Sequence, residues 1–342
     1  MEVSEQEIHA VREALLKWYD SQKRDLPWRS SPSLYKTVVS EFMLQQTQVA
    51  TVLPYFDRWL AQFPDFETLA AADEEFVLKH WEGLGYYRRA RFLHATAKRW
   101  CEAETKPSDH KDWLEYPGVG PYMAAAISSI TFNDTVPVVD GNVIRLITRV
   151  LRIKDEFTSV PQAIQKVRPY VSAVISQERP GDFNQAMMEM GATVCRPKNP
   201  TCMICPLQVL CRSSNAVDVE SIPLIKKAKS ISVLRPRLLS IKDESILLAV
   251  KGEGSRLKGI YELPELSKNE PESKPVGTIK RGIGNEKVTE PIYSLDDQKL
   301  HEIVHKKAET KWIPLKNLSE ITLSGPHRKW ISDFLASTGG SC

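Results

Sequence analysis

The sequence has no long hydrophobic run, and no stretch approaches the ~20 apolar residues that a membrane-spanning helix needs. An N-terminal apolar segment of secretory length is also missing, so we expect a soluble, intracellular protein without a membrane partner. The charge is nearly balanced, because 46 Lys and Arg against 43 Asp and Glu leave +3, which is a weak indication of a nucleic-acid partner. A length of 342 residues allows two or more domains. Internal repeats and low-complexity segments, which would indicate arrays or disorder, are lacking.

Cysteine is scarce, and four of the six cysteines fall within 17 residues. They are Cys195, Cys202, Cys205 and Cys211, separated by six, two and five residues. An intracellular chain seldom uses disulfides, so this grouping favours a metal site. A four-cysteine zinc site usually shows two C-x₂-C pairs, and here there is one. The ligand count suits a tetrahedral metal ion or a [4Fe–4S] cluster.

The stretch from Asp112 to Asn142 combines a glycine turn with an isolated acid. Its centre, PGVGP, separates two helical segments, and Pro121 suits the first position of the second helix. The glycines allow a sharp turn, and the free N–H groups at a helix N-terminus form an anion site. Asp140 follows the apolar run VPVV. Taken separately, the turn could be a tight helix–helix connection and Asp140 an N-cap.

Taken together, LEYPGVGPYMAAAI and VDGNVIRLITRVL resemble the helix-hairpin-helix motif and the catalytic-Asp loop of endonuclease III-like DNA glycosylases. Within that superfamily the chain resembles the MutY-type adenine DNA glycosylases. The resemblance implies a mostly α helix-hairpin-helix glycosylase fold of two helical subdomains with a [4Fe–4S] cluster loop, followed by a C-terminal α+β Nudix-like domain.

Residues Tyr35 to Val49 predict one helix, and Glu41 interrupts its apolar pattern. A lone Glu in such a helix usually faces solvent, but SEFMLQQTQV resembles the MutY catalytic helix, which implies that Glu41 is the general acid. By the same resemblance Asp140 is the catalytic carboxylate, and Asn142 and Tyr122 support it. The residues implied to contact substrate or DNA are Arg24, Trp28, Arg29, Leu44, Gln45, Gln46, Tyr86, Gly118, Gly120 and Gln185.

Tyr122 distinguishes two reaction types. Bifunctional endonuclease III-type enzymes carry a Lys at this position, which forms a Schiff base with the sugar and leads to strand cleavage. A phenol cannot form a Schiff base. The resemblance therefore implies a monofunctional glycosylase that uses water. It also implies that the cysteine spacing holds a [4Fe–4S] cluster, which we interpret as a structural clip that presents nearby cations to DNA.

The resemblance and the basic composition of one segment together imply three parts: a helix-hairpin-helix glycosylase at 1–220, a basic linker at 221–242 and a MutT/Nudix-like lesion-recognition domain at 243–342. The linker range holds six basic residues and no acid. SILLAVKGEGSRLKGIYELPEL resembles the MutT-like domain of MutY proteins, but no Nudix metal box follows it. The Phe-Ser-His hairpin with which the family reads 8-oxoguanine is also missing, and Ile283 to Lys287 is the best candidate for the equivalent hairpin.

The predicted function is excision of adenine mispaired with 8-oxoguanine or guanine. The predicted partner is double-stranded DNA containing A:8-oxoguanine or A:G mispairs, the protein is expected to be a monomer, and it would act in the cytoplasm or nucleoid, or in the nucleus of a eukaryote. Two alternatives remain open at this point. One is a glycosylase for thymine or uracil opposite guanine, and the other is a non-catalytic iron–sulfur DNA-binding protein.

Overall fold

The computed structural model describes residues 4–226, 229–252, 255, 257–267, 273–294 and 309–338. Lys227, one of the six basic residues of the predicted linker, lies outside these ranges. The chain forms two compact units, each assembled from two separate segments: Met1–Gln46 with Arg99–Lys227, and Thr47–Lys98 with Ala228–Cys342. Among the described residues, no helix is both long and apolar enough to cross a membrane.

Helices dominate the chain up to residue 193. In chain order the helices are α1 (Glu5–Gln22), α2 (Pro27–Ser30), α3 (Leu34–Leu44), α4 (Val49–Gln62), α5 (Phe66–Ala71), α6 (Glu74–His80), α7 (Arg88–Glu102), α8 (His110–Leu114), α9 (Pro121–Phe132), α10 (Gly141–Val150), α11 (Val160–Val174), α12 (Pro180–Thr193) and α13 (Gly325–Ser337). Ser4 and Glu7 form a capping box at the start of α1.

The first unit has its core between α1, α10, α11 and α12. Apolar side chains spaced along one face of each helix are buried there, among them Val11, Leu15, Ile147, Val171 and Met187. Burying such a side chain contributes about 1.5–3 kcal/mol. Helix α12 approaches α10 closely at Gly191, which has no side chain. A Cβ on Gly191 would lie only 2.6 Å from the Cβ of Asn142 in α10. This contact fixes the start of α10 against α12.

The structure corrects the predicted helix from Tyr35 to Val49. Helix α3 ends at Leu44, and a turn of four residues separates it from α4. Gln46 has φ +58°, in the left-handed region that no α-helix residue occupies, so the helix cannot continue through it. Gln45 and Gln46 therefore lie in a turn beyond the helix end.

Most of the described strands lie after residue 223. They are β1 (Glu156–Phe157), β2 (Leu224–Ile225), β3 (Ile231–Leu234), β4 (Arg237–Leu239), β5 (Ile241–Lys242), β6 (Ser245–Val250), β7 (Tyr261–Glu262), β8 (Gly277–Ile283), β9 (Glu286–Ser294) and β10 (Glu309–Pro314). One sheet has the order β10-β6-β5 with β7 also on β6, and another has β3-β9-β4 with β8 on β9. With α13 they form the α+β region that was predicted.

The basic segment at 221–242 carries strands β2 to β5. Its strands β3 and β4 pair in parallel with β9, and β5 pairs with β6. Much of this segment is therefore paired strand rather than free linker. The domain boundaries drawn from the sequence remain a prediction.

The C-terminal sheets enclose a group of buried charges. Arg237, Glu262, Glu290 and His327 have side chains that are 0–1% exposed, and Arg281 is 11% exposed. Two guanidinium groups and two carboxylates balance each other, so the group adds no net charge to the interior while His327 is neutral. Because burial lowers the pKa of His327 below its ordinary value, the neutral form is favoured.

Candidate active site

The glycine turn between α8 and α9 has the geometry of the predicted helical hairpin. Gly118 has φ +75°, and the Val119 N–H donates to the carbonyl of Tyr116 over 3.1 Å. Gly120 is the N-cap of α9 and Pro121 follows at its first position, without a side chain capping the helix. The first N–H groups of α9 are therefore available to an external acceptor such as a phosphate oxygen.

Asp140 caps the N-terminus of α10. Its Oδ1 accepts the N–H of Val143 at 2.7 Å, and its Oδ2 accepts Asn142 Nδ2 at 2.8 Å. Burial raises the pKa of Asp140, and the two hydrogen bonds and the charge of Arg145 oppose that rise without cancelling it. The N-cap interpretation and the carboxylate interpretation are thus both compatible with the geometry.

Glu41 is buried near the end of α3, with 7% of its surface exposed. Desolvation raises its pKa to about 7; a hydrogen bond with Tyr122 lowers the pKa, Asp140 raises it and Arg29 lowers it. Among the described residues, Glu41 Oε2 has no hydrogen-bond partner although it is buried. Because no donor within the described residues reaches it, Glu41 Oε2 can carry a proton itself or accept a hydrogen bond from a ligand.

Glu41, Asp140 and Tyr122 lie close enough to influence one another. Burial raises the pKa of Tyr122 well above its ordinary value, and the charges of Glu41 and Asp140 raise it further. The Tyr122 hydroxyl also lies 3.4 Å from Met188 Sδ. The structure thus brings a carboxyl that is partly protonated near neutral pH next to a second carboxyl and a neutral phenol.

A second polar group adjoins the first. Arg29 Nε donates to Gln185 Oε1 at 3.0 Å and its Nη2 donates to Glu189 Oε2 at 3.0 Å. Arg24 donates to both oxygens of the same carboxylate, at 2.6 and 2.9 Å. Glu189 was missed from the sequence, although an acid between Met188 and Met190 in α12 could have indicated it. Arg24 was predicted to contact substrate, and its guanidinium is engaged with Glu189.

Arg145 connects the site to the cysteine loop and was also missed. Its Nη2 donates to Asn142 Oδ1 at 2.8 Å and to the carbonyl of Gly191 at 2.7 Å. Its Nε donates to the carbonyl of Cys195 at 2.8 Å. Asn142, which donates to Asp140, is therefore held in place by a cation that also contacts the cysteine loop.

The four clustered cysteines line one cavity, together with apolar residues of α10 and of the loop itself. Arg149 Nη1 lies 3.6 Å from Cys195 Sγ, and burial raises the pKa of Cys205 to about 11. Within the described part of the chain, no three His, Cys, Asp or Glu side chains are grouped around a single metal ion. A [4Fe–4S] cluster takes its four thiolates at four different irons and so needs them farther apart than one ion does. The cavity brings together four thiol groups, the number of ligands that such a cluster takes.

The other predicted DNA-contacting residues have different environments. Trp28 is 8% exposed and packs inside the first unit, whereas Gln46 is exposed after α3. Tyr86 belongs to the second unit, where it is 55% exposed at the tip of a glycine turn.

Comparisons with known proteins indicate the family of this chain. The family model of the HhH-GPD superfamily base excision DNA repair proteins matches residues 39–169. The mouse adenine DNA glycosylase is 44% identical over 222 residues, covering 62% of this chain and 43% of the mouse protein. The adenine DNA glycosylase of Buchnera aphidicola subsp. Schizaphis graminum is 30% identical over 348 residues, covering 96% of this chain and 99% of that protein.

Among solved structures, a non-covalent endonuclease III–DNA complex matches with a TM-score of 0.52 and 20% identity, over 62% of this chain and 97% of that one. This likeness confirms the helix-hairpin-helix fold class. The chain spans less than half the length of the mouse relative. Its match over nearly the full length of the Buchnera protein nevertheless shows that the chain belongs to the adenine DNA glycosylase family.

Proposed function

We propose that this protein is a monofunctional base-excision-repair glycosylase that hydrolyses the N-glycosidic bond of adenine mispaired with 8-oxoguanine or guanine. The observation that carries the proposal is the pairing of Glu41, whose pKa is raised to about 7, with Asp140 beside it. A binding module needs neither carboxyl. Two carboxyls in different environments can divide one reaction between an acid and a charge-stabilising group.

Glu41 supplies the proton in this proposal. Adenine must leave the duplex to be cut, at a cost of a few kcal/mol. Neutral adenine is a poor leaving group, and protonation at its N7 makes departure feasible. A carboxyl with a pKa near 7 is protonated in a large fraction of molecules at neutral pH and can donate. The unpaired Oε2 leaves one oxygen of Glu41 available to the base.

Asp140 stabilises the positive charge that develops on the deoxyribose as the base departs. The hydrogen bond from Asn142 Nδ2 keeps the Oδ2 of Asp140 in place, and Arg145 orients Asn142. Tyr122 donates to Glu41 and contributes no amine, so water completes the reaction without strand cleavage. The amide and guanidinium groups of Gln185 and Arg29, with Glu189, offer donors and acceptors for the edge of the extruded base.

Members of this family usually carry a [4Fe–4S] cluster, and we propose that Cys195, Cys202, Cys205 and Cys211 hold one here. When bound, the cluster would act as a structural clip for the loop. The loop presents Arg196, Lys198 and Arg212, whose charges suit a phosphate backbone. The support is the shared cavity and the donor set of four thiols.

Single-turnover cleavage of five duplexes tests the function. Adenine opposite 8-oxoguanine, opposite guanine and opposite cytosine should be released at decreasing rates. Release of thymine or uracil opposite guanine in preference to adenine would instead support the alternative mismatch activity. Tight DNA binding without release of any base would support the non-catalytic alternative.

A further inference from the structure

The turn between α6 and α7 in the second unit, Gly83 to Tyr86, has an unusual backbone. Gly83 and Gly85 have φ of +101° and +71°, and Tyr86 itself has φ +49°. A tyrosine in the left-handed region carries strain, which persists only where neighbouring groups fix the chain. Because the Tyr86 side chain is 55% exposed, its own packing does not hold the turn.

One set of contacts holds the turn from within the helical segment. Arg89 is buried and its Nη2 donates to the carbonyls of Leu84 and Gly85, at 3.1 and 3.2 Å. Trp81 Nε1 donates to the carbonyl of Gly85 at 3.0 Å. The guanidinium carbon of Arg89 also lies 5.4 Å from the centre of the Tyr86 ring.

A second set of contacts comes from the C-terminal residues of the same unit and reaches the residues on either side of the turn. Before it, the carboxylate of Glu82 binds Arg328 of α13 through both oxygens: Arg328 Nε donates to Oε1, and Nη2 donates to Oε2 at 3.1 Å. After it, the hydroxyl of Tyr87 donates to the carbonyl of Leu323 at 2.8 Å. At the turn, a Cβ on Gly325 would lie 3.7 Å from Gly83 Cα.

Arg328 connects these contacts. Its remaining hydrogen bonds go to the carbonyls of Leu318 and Ile321, each at 2.7 Å. Its side chain is 24% exposed and that of Glu82 12% exposed, so the pair is largely shielded from water. A shielded, bidentate Arg–carboxylate pair fixes geometry more firmly than an exposed pair does. Lys79 Nζ adds a third contact to Glu82 at 3.0 Å.

We propose that Arg328 is a positioning residue that acts through Glu82 to hold Tyr86 in the conformation that enters the DNA stack. The inference rests on the proposed function and on the contact between Tyr86 and DNA that the family resemblance implies. It assigns the C-terminal region a part in base extrusion, in addition to any reading of the opposite base. Loss of the contact should loosen the turn while leaving Glu41 and Asp140, in the other unit, unchanged.

A double-mutant cycle with Tyr86 tests this. Arg328→Gln should lower the single-turnover rate of adenine release about tenfold, a smaller loss than the ~10²-fold that a displacement of ~1 Å can cause. In the Tyr86→Ala background the same substitution should cause little further loss, because both changes affect one step. Fluorescence of 2-aminopurine at the target position should show the same pattern for extrusion. The pH at which the rate is half-maximal should not move, and Lys329→Gln, an exposed cation on the same helix, is the matched control.

The proposal would be overturned if Arg328→Gln lowered the rate of adenine release by the same factor in the unmodified and the Tyr86→Ala backgrounds. It would also be overturned if Arg328→Gln did not lower the rate. If thermal unfolding shows that Arg328→Gln is not folded, Glu82→Gln takes its place in the same cycle and should give the same result. Absence of adenine release by the unmodified protein would contradict the proposed function instead. The 2-aminopurine cycle would still report on Tyr86 in that case.

Discussion

Glu41 is largely shielded from water, with 7% of its surface exposed, and its ionisation follows from that burial. Its pKa of about 7 predicts that the excision rate falls as pH rises above about 7, because the ionised carboxyl cannot donate. On the acid side the rate should fall where Asp140 becomes protonated, above the ordinary range of an Asp because burial raises its pKa. Single-turnover rates measured from about pH 4 to about pH 9 check both limbs.

Substitution of either carboxyl provides the control for that profile. Glu41→Gln and Asp140→Asn should each lower the rate by about 10³-fold or more, while binding to the mispair persists. Near-normal turnover by Glu41→Gln would exclude it as the acid. A pH profile that stays the same in Glu41→Gln would lead to the same conclusion.

Tyr122 places a phenol where an amine would change the reaction. In the unmodified protein, borohydride should trap little covalent complex with DNA, and strand breaks should appear only after alkali. Tyr122→Lys should create measurable trapping, because an amine would then lie beside the sugar carbon. Tyr122→Phe is the matched control, since it removes the hydroxyl without adding a nucleophile. Trapping by the unmodified protein would contradict monofunctional chemistry.

At the scale of elements, β8 and β9 form the hairpin that the sequence predicted from Ile283 to Lys287. A turn of Gly284, with φ +61°, and Asn285 joins them, and Ile283 pairs with Glu286. Asn285 and Lys287 are exposed. Replacing both by Ala should reduce the preference for 8-oxoguanine over guanine opposite adenine about tenfold, the effect of one or two lost hydrogen bonds. Competition between the two duplexes measures it, and an unchanged preference would remove the hairpin from lesion reading.

The cysteine loop allows a chemical test of the cofactor. Purified protein should be brown and contain four irons with acid-labile sulfide, as the [4Fe–4S] assignment requires. Cys202→Ser should lose the colour and bind DNA more weakly. Cys101→Ser, outside the loop, should keep the brown colour and the DNA affinity of the unmodified protein. One zinc per chain without sulfide would instead identify a zinc clip.

Local features of the fold could be predicted, because they depend on neighbouring residues. Ser4 with Glu7, Pro121 at the start of α9 and the turn at Gly284 each follow from short-range hydrogen bonding or backbone geometry. The predicted end of α3 was wrong, because the apolar pattern of the sequence does not indicate that Gln46 adopts the left-handed conformation. The positions of Glu189 and Arg145 depend on partners brought in by tertiary packing, which a single sequence does not display.

At the scale of the whole molecule, the buried charges of the C-terminal sheets predict acid sensitivity. Burial would raise the pKa values of Glu262 and Glu290, but His327 and the two arginines lower both to about 2. Because the folded-state values lie below those of the unfolded chain, this stabilisation is present above about pH 4.5 and is lost as pH falls toward about 2. Urea unfolding at a series of pH values should show this loss.

Glu290→Gln provides the matched variant for that series. Removing one member of a buried ionic group leaves its partners uncompensated, so the substitution should cost about 3–5 kcal/mol near neutral pH. The cost should shrink in acid, where the unmodified protein loses the same interaction. A cost that does not depend on pH would show that packing, rather than charge, accounts for it.

The division of the first unit into two separate segments has a consequence for synthesis of the chain. Glu41 leaves the ribosome about 100 residues before Asp140, a delay of roughly 5–20 s at ~5–20 residues per second. Helix α1 packs against α11 and α12, so its apolar face has no native partner until those helices emerge. During that interval we expect Glu41, whose helix α3 packs against α9 in the folded chain, to be exposed to water and to have the acidity of an ordinary glutamate. The nascent chain therefore acquires an acid suited to neutral pH only when the second segment closes over the first.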